Sequence, residues 1–121
     1  MWLYNRHMVI TRPSERADLA VAAKLFRGLA DPMRLAIVEL LANGEMRVTD
    51  IVAALGTSQS NVSAHLACLK ECGLVEDRPQ GRAVLYRLAR PELFDVLKTA
   101  EVLLDAVGHR IELCANFEDR R

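Results

Sequence analysis

Two glycine-stopped helical signals, joined by a polar link of only two residues, constrain this chain more than any other feature. Val48 or Thr49 opens a short helix carrying Ile51, Val52 and Leu55, and Gly56 closes it. After Thr57-Ser58, a second helix runs from about Gln59 to Cys72 with Val62, Leu66 and Leu69 facing inward. Gly73 stands where a left-handed cap ends a helix. Leu74-Val75 then leads into a strand, Pro79-Gln80-Gly81-Arg82 reads as a turn, and Ala83 to Leu88 returns with Val84, Tyr86 and Leu88 on one face.

The flanks complete the pattern. Ser14 can cap a helix running to Leu29, with Ala22, Leu25, Phe26 and Leu29 on one side. Asp31-Pro32 starts another, Asp as cap and Pro at the first helical position, carrying Leu35, Val38, Leu41 and Ala42 until Asn43-Gly44 stops it. From Pro91 a last helix of about 23 residues is expected, with Leu93, Leu97, Ala100, Leu104, Val107 and Ile111 at alternating four- and three-residue spacings. So long a seam suggests a partner subunit. The expected fold is mainly α with a small β-hairpin wing, a dimeric winged helix-turn-helix. Residues 1–13 read as an arm, 14–115 as the domain and 116–121 as a tail.

Composition narrows the function. The chain has 121 residues, 51% hydrophobic and 26% charged, so it can bury a core. Sixteen bases balance sixteen acids overall, but residues 46–90 hold six bases against four acids, whereas residues 91–121 hold four against seven. An anionic partner is therefore expected at the middle segment. No apolar run approaches a bilayer span, and polar residues interrupt the start too early for a signal-peptide core, so a cytoplasmic protein without a membrane role is expected. No nucleophile–base pair, Gly-rich phosphate loop or acid pair points to an enzyme or to a small-molecule substrate. Three cysteines is an odd number; in a reducing compartment they are thiols, metal ligands or redox sensors.

The second helix of the pair opens on Ser58, Gln59, Ser60, Asn61 and Ser63, small polar residues around one inward Val62. Such side chains can serve as a helix cap. They can also reach phosphates and base edges in a major groove, where Gln59 and Asn61 are able to pair bidentately with adenine. His65 follows as a contact or cap residue. From Arg78 to Arg90 there are four arginines and no acids, with Arg78 and Arg82 flanking the Pro79-Gln80-Gly81 turn. A wing so charged is either a solvated hairpin or a phosphate contact, and beside that helix start it favours double-stranded DNA.

The run Leu29-Ala30-Asp31-Pro32-Met33-Arg34-Leu35, then Ser60-Asn61-Val62-Ser63-Ala64-His65-Leu66 and Cys72-Gly73-Leu74-Val75, resembles the ArsR/SmtB metal-sensing repressors. Gln80-Gly81-Arg82 and Tyr86-Arg87-Leu88 match the wing of that family. The resemblance implies a homodimer whose first and last helices pack together, bound to a palindromic operator until an inducing metal arrives. The Cys-Val-Cys site of one branch is absent, since Arg47, Val48 and Thr49 stand there. The last-helix zinc site of another looks broken, because Val107 follows Asp105 by two and only His109 and Glu112 remain. Cys68, Cys72 and Cys114 match the pattern of the CmtR-type cadmium and lead sensors, which implies that these three are the ligands, Cys114 reaching across from the opposite subunit.

The chemistry of that set is specific. Cysteines four apart on a helix lie on one face with Cβ atoms about 5–6 Å apart, able to share one ion but not to complete its shell. Three sulfurs favour a soft inducer such as Cd(II) or Pb(II), with Zn(II) or As(III) and its congener antimony also accepted. The rival readings are oxidation of the same thiols, cysteines packed as small hydrophobes, and a metal-storage or protein-interaction module without a DNA role. His7 lies in the arm, with little to fix it.

Overall fold

The computed structural model describes residues 13–113, with side chains from residue 16 onward. Residues 1–12 of the arm, the tail at 116–121, His7 and Cys114 lie outside the described residues, while Pro13, counted with the arm, opens α1. The chain runs α1 (Pro13–Leu29), α2 (Pro32–Leu41), β1 (Met46–Arg47), α3 (Val48–Leu55), α4 (Gln59–Glu71), β2 (Val75–Gln80), β3 (Ala83–Leu88) and α5 (Glu92–Ala106). Helix α1 starts at Pro13, so Ser14 falls inside its first turn and is not its cap. Proline suits that position because its missing N–H has no helical acceptor there.

Asp31 caps α2 as expected. Its backbone is extended, and its carboxylate accepts from the Met33 and Arg34 N–H groups at 2.8 and 3.1 Å. These bonds, Arg34's first, hold the Asp31 carboxyl below the usual range. The core joins Ile37, Val38 and Leu41 of α2 to Ile51 of α3 and to Val62, Leu66 and Leu69 of α4. Leu74, Val75, Leu93 and Leu97 close it.

The α4 terminus follows the glycine cap motif in full. Gly73 has φ +78 and donates to the Lys70 carbonyl at 2.9 Å, while Leu74 donates to Leu69 at 3.0 Å. Leu69 and Leu74 are both buried, the apolar contact that accompanies this motif. Cys72 is therefore the cap residue itself, one position past the helix.

Three further features depart from expectation. Strand β1 adds an edge to the hairpin, in the order β1-β3-β2, with Met46 opposite Tyr86; two residues are too few to show an alternation. The wing loop is only Gly81-Arg82, so Pro79 and Gln80 belong to β2. Gly81, at φ +63, takes the first loop position, and Pro79 is tolerated because β2 is an edge strand.

The largest departure is α5, which spans 15 residues instead of about 23. Gly108 has φ +101, Gly108 donates to Asp105 at 3.1 Å and His109 to Leu104 at 2.8 Å, the same capping motif that ends α4. Ile111 is thus beyond the helix. Leu93 and Leu97, expected on a partner-facing seam, are buried in the domain's own core. The exposed apolar positions of α5 are Val96, Val102 and Leu103, with Leu19, Val21 and Phe26 exposed on α1. No described helix is long and apolar enough to cross a membrane.

Candidate nucleic-acid interface and thiol pair

Helix α4 begins with a cap that also shapes an exposed polar surface. Ser58 Oγ accepts from the Asn61 N–H at 3.1 Å and lies 3.3 Å from Ser60 Oγ. Asn61 Nδ2 donates to Thr57 Oγ1 at 3.0 Å. Gln59, Ser60, Asn61 and Ser63 are exposed around the fully buried Val62. The cap role and an outward polar face therefore coexist, with Asn61's amide committed locally and Gln59 standing clear.

His65 is placed differently from the others. It is half-buried against α2, where Arg34 Nη1 donates to its Nδ1 at 3.2 Å. Arginine stays protonated, so Nδ1 is the acceptor and the ring proton belongs on Nε2. The same Nδ1 lies 3.9 Å from Asp31 Oδ1. Arg34 also donates from Nε to the Gly28 carbonyl at 2.7 Å and from Nη2 to the Arg27 carbonyl at 3.0 Å.

Three of the four arginines between residues 78 and 90 have carboxylate partners, with Glu45 brought from outside the hairpin. Arg78 forms a two-pronged pair with Glu45, at 2.7 and 2.8 Å, which holds the Glu45 carboxyl below its ordinary range. Arg87 pairs with Glu76 and Arg90 with Glu92. Arg82, at the loop, has no carboxylate partner among the described residues. With Arg47, Thr49, Gln59 and Val84 it lines an open cleft of about 370 Å³ between the starts of α3 and α4 and the wing. Gln80 is exposed at the end of β2. Arg47 and Thr49 were not anticipated as part of this surface. Their place at the junction of β1 and α3, the helix before α4, is the available signal.

At the other end of α4, Cys68 and Cys72 are half-buried free thiols one turn apart. Burial first, and then the neighbouring Cys68, push the Cys72 thiol up from its ordinary value. Cys72 Sγ donates to the Lys24 carbonyl at 3.5 Å. The donor chemistry fits a thiophilic ion, but these residues supply two sulfurs. No cluster of three potential ligands occurs among the described residues, and Cys114 lies outside them. The remnant zinc set is not assembled either: Asp105 is engaged by Arg110 at 3.6 Å, and His109 and Glu112 are exposed.

The family model for bacterial regulatory proteins of the arsR family matches residues 31–77, from the α2 cap into the wing. The transcriptional repressor SmtB of Mycobacterium tuberculosis is 43% identical over 97 residues, 80% of this chain and 67% of that protein. The chain belongs to the ArsR family. The regulator CmtR of Mycobacterium bovis is 46% identical over 71 residues, 59% of this chain and 60% of its own length. A solution structure of a homodimeric winged helix-turn-helix DNA-binding domain from the same organism, described as a possible ArsR-family regulator, covers 87% of this chain and 97% of its own. Its TM-score is 0.73 at 32% identity.

ArsR-family proteins are DNA-binding transcriptional regulators, not enzymes. That membership gives a reason for the exposed apolar residues of α1 and α5. Phe26 is 63% exposed and Leu103 64%, and together with Val96 and Ala100 they line an apolar hollow of about 460 Å³. A single copy leaves this surface in water, the mark of an interaction face.

Proposed function

We propose that this chain is a cytoplasmic, homodimeric repressor that holds operator DNA until Cd(II) or Pb(II) is taken by Cys68, Cys72 and Cys114. The observation that carries the reading is the position of the two thiols. They lie at the carboxyl end of the helix whose amino end exposes Gln59, Ser60, Asn61 and Ser63. One rigid element thus bears both candidate surfaces. Residues 14–115 form the regulatory domain in this reading.

On the DNA side, Gln59 and Asn61 read base edges, while Ser58, Ser60, Ser63 and the wing residues Gln80 and Arg82 engage phosphates. Arg78 lines the wing while held by Glu45, and His65 orients α4 through Arg34. The apolar face of α1 and α5 seats the second subunit and sets two α4 helices at successive major grooves, about 34 Å apart.

On the sensing side, a soft cation supplies bonds to sulfur that hydrogen bonds do not match. Cys68 and Cys72 must give up their protons to hold it, and Cys114 brings the third sulfur from the dimer seam. Joining the end of α4 to that seam turns the reading helix relative to the dimer axis. A coupling of about 1–3 kcal/mol is enough to change operator occupancy.

Titration of reduced protein with Cd(II) and Pb(II), followed by ultraviolet absorbance and by a mobility shift on the upstream intergenic DNA, tests the reading. A sulfur-to-metal charge-transfer band saturating at one equivalent, with loss of the shifted complex, is the expected result. Release by peroxide without metal, or by arsenite alone, would replace the inducer. No shifted complex at all would end the DNA reading.

A further inference from the structure

Gly28 occupies a place where glycine is unexpected. It lies one residue from the end of α1 in helical conformation, not among the glycines of positive φ, so its backbone does not require the missing side chain. Its reason is spatial: a Cβ at this position would fall 2.8 Å from Cys72 Sγ and 3.5 Å from Cys72 Cβ. Glycine in a helix interior costs stability, and here that cost permits the close approach of a neighbouring side chain.

The same short stretch of α1 is fastened to α4 in three further ways. Cys72 Sγ donates to the Lys24 carbonyl, and Lys24 Nζ meets Glu71 at 3.1 Å. The Gly28 carbonyl accepts from Arg34, whose other end grips His65 in the middle of α4. The position of α1 is thus registered twice on the reading helix, once at the thiol and once at the imidazole. A carbon at the Gly28 Cβ position would therefore force the sulfur or α1 to shift.

We propose that Gly28 is the positioning residue of the thiol site: its bare Cα lets α1 close onto the Cys72 sulfur in the DNA-binding form, and a ligand taken on that sulfur parts α1 from α4. This rests on the thiol-sensing reading above and adds the route by which an event at Cys72 reaches the dimer-forming helix. As α1 withdraws, the Gly28 carbonyl draws on Arg34, and Arg34 draws on His65. One displacement therefore acts on α4 at two points along its length.

A side chain at residue 28 should imitate the ligand. In metal-free, reduced protein with chelator present, Gly28→Ala should bind the upstream intergenic duplex at least tenfold more weakly than the unchanged chain. It should also alkylate at Cys72 with iodoacetamide severalfold faster, read by peptide mass. The double variant Gly28→Ala/Cys72→Ala, in which the clashing sulfur is gone, should recover binding to within about threefold. Recovery also separates this effect from a general folding defect. Unchanged binding by Gly28→Ala, or a double variant as weak as the single one, overturns the proposal. Absence of a metal charge-transfer band would instead remove the inducer assignment, and the metal-free comparison would still stand or fall separately.

Discussion

Arg78 and Glu45 form a two-pronged ion pair, Nε to Oε2 at 2.7 Å and Nη2 to Oε1 at 2.8 Å, that fastens strand β2 to the link between α2 and β1. The two residues are separated by α3 and α4 in the chain. The pair changes the role of an arginine that the hairpin sequence presents as free. Arg78 braces the wing, whereas Arg82 at its tip has no carboxylate partner among the described residues and is the arginine proposed to meet phosphate.

The two arginines should therefore behave differently in a salt titration. Arg82→Ala should weaken operator binding across sequences and reduce the slope of log affinity against log salt by about one. Arg78→Ala should change that slope less, and Glu45→Gln should resemble it. Fluorescence anisotropy at several salt concentrations provides the comparison. Equal slope changes for the two arginines would show that the Glu45 pair opens on DNA.

Variants of the thiol pair should separate DNA binding from the metal response. Cys68→Ser and Cys72→Ser should each retain a folded dimer and lose release from DNA by cadmium. Cys114→Ser should weaken the charge-transfer band without removing it, since two sulfurs remain on α4. A mobility shift with and without Cd(II) reads the two α4 variants, and ultraviolet absorbance during Cd(II) titration reads Cys114→Ser. Normal release by either α4 variant would show that the ligands lie elsewhere.

Alkaline stability carries a sign that follows from burial. The Cys72 thiol is raised above its ordinary value of 9.0 in the folded chain, so the native state holds this proton more tightly than the unfolded one. That contribution is fully present below about pH 9 and is lost as pH rises through the raised value. Urea unfolding between pH 8 and 11 should therefore show a decline that Cys72→Ala makes shallower. Metal uptake has the opposite trend and should strengthen with rising pH, because thiolates must form first.

The exposed apolar face should report dimerisation. Replacing Phe26 or Leu103 by Asp puts charge on the surface proposed to seat a second copy, and sedimentation should show monomers at micromolar concentration. Leu66→Ala, at a fully buried position, should instead cost about 2–5 kcal/mol of stability with the dimer otherwise retained. A Phe26→Asp chain that remains dimeric would move the interface elsewhere.

Much of the architecture was legible because local chemistry decides it. Asp31-Pro32, Gly56 and Gly73 mark helix ends through bonds made within a few residues, and each stands in the structure where its chemistry placed it. Gly108 acts by the same rule, but its signal is masked by an apolar spacing that continues through Val107 and Ile111 past the glycine. Periodicity identifies an apolar stripe but not what covers it: Leu93 and Leu97 belong to the stripe whose length suggests a partner, yet they fill the domain's own core.

The candidate sites divide in the same way. The residue types and the four-residue spacing of Cys68 and Cys72 follow from sequence alone, as does the polar start of α4 at Ser58 to Ser63. Spacing along one helix fixes which side chains share its face, whatever surrounds it. The neighbours of that face are set by folding. Glu45 beside Arg78, Arg34 beside His65 and Gly28 beneath Cys72 join residues 31 to 44 positions apart, distances over which no periodicity in the chain carries information. Packing of α1, α2 and the wing against α4 decides those pairs, and with them which charges stay free and which sulfur is confined.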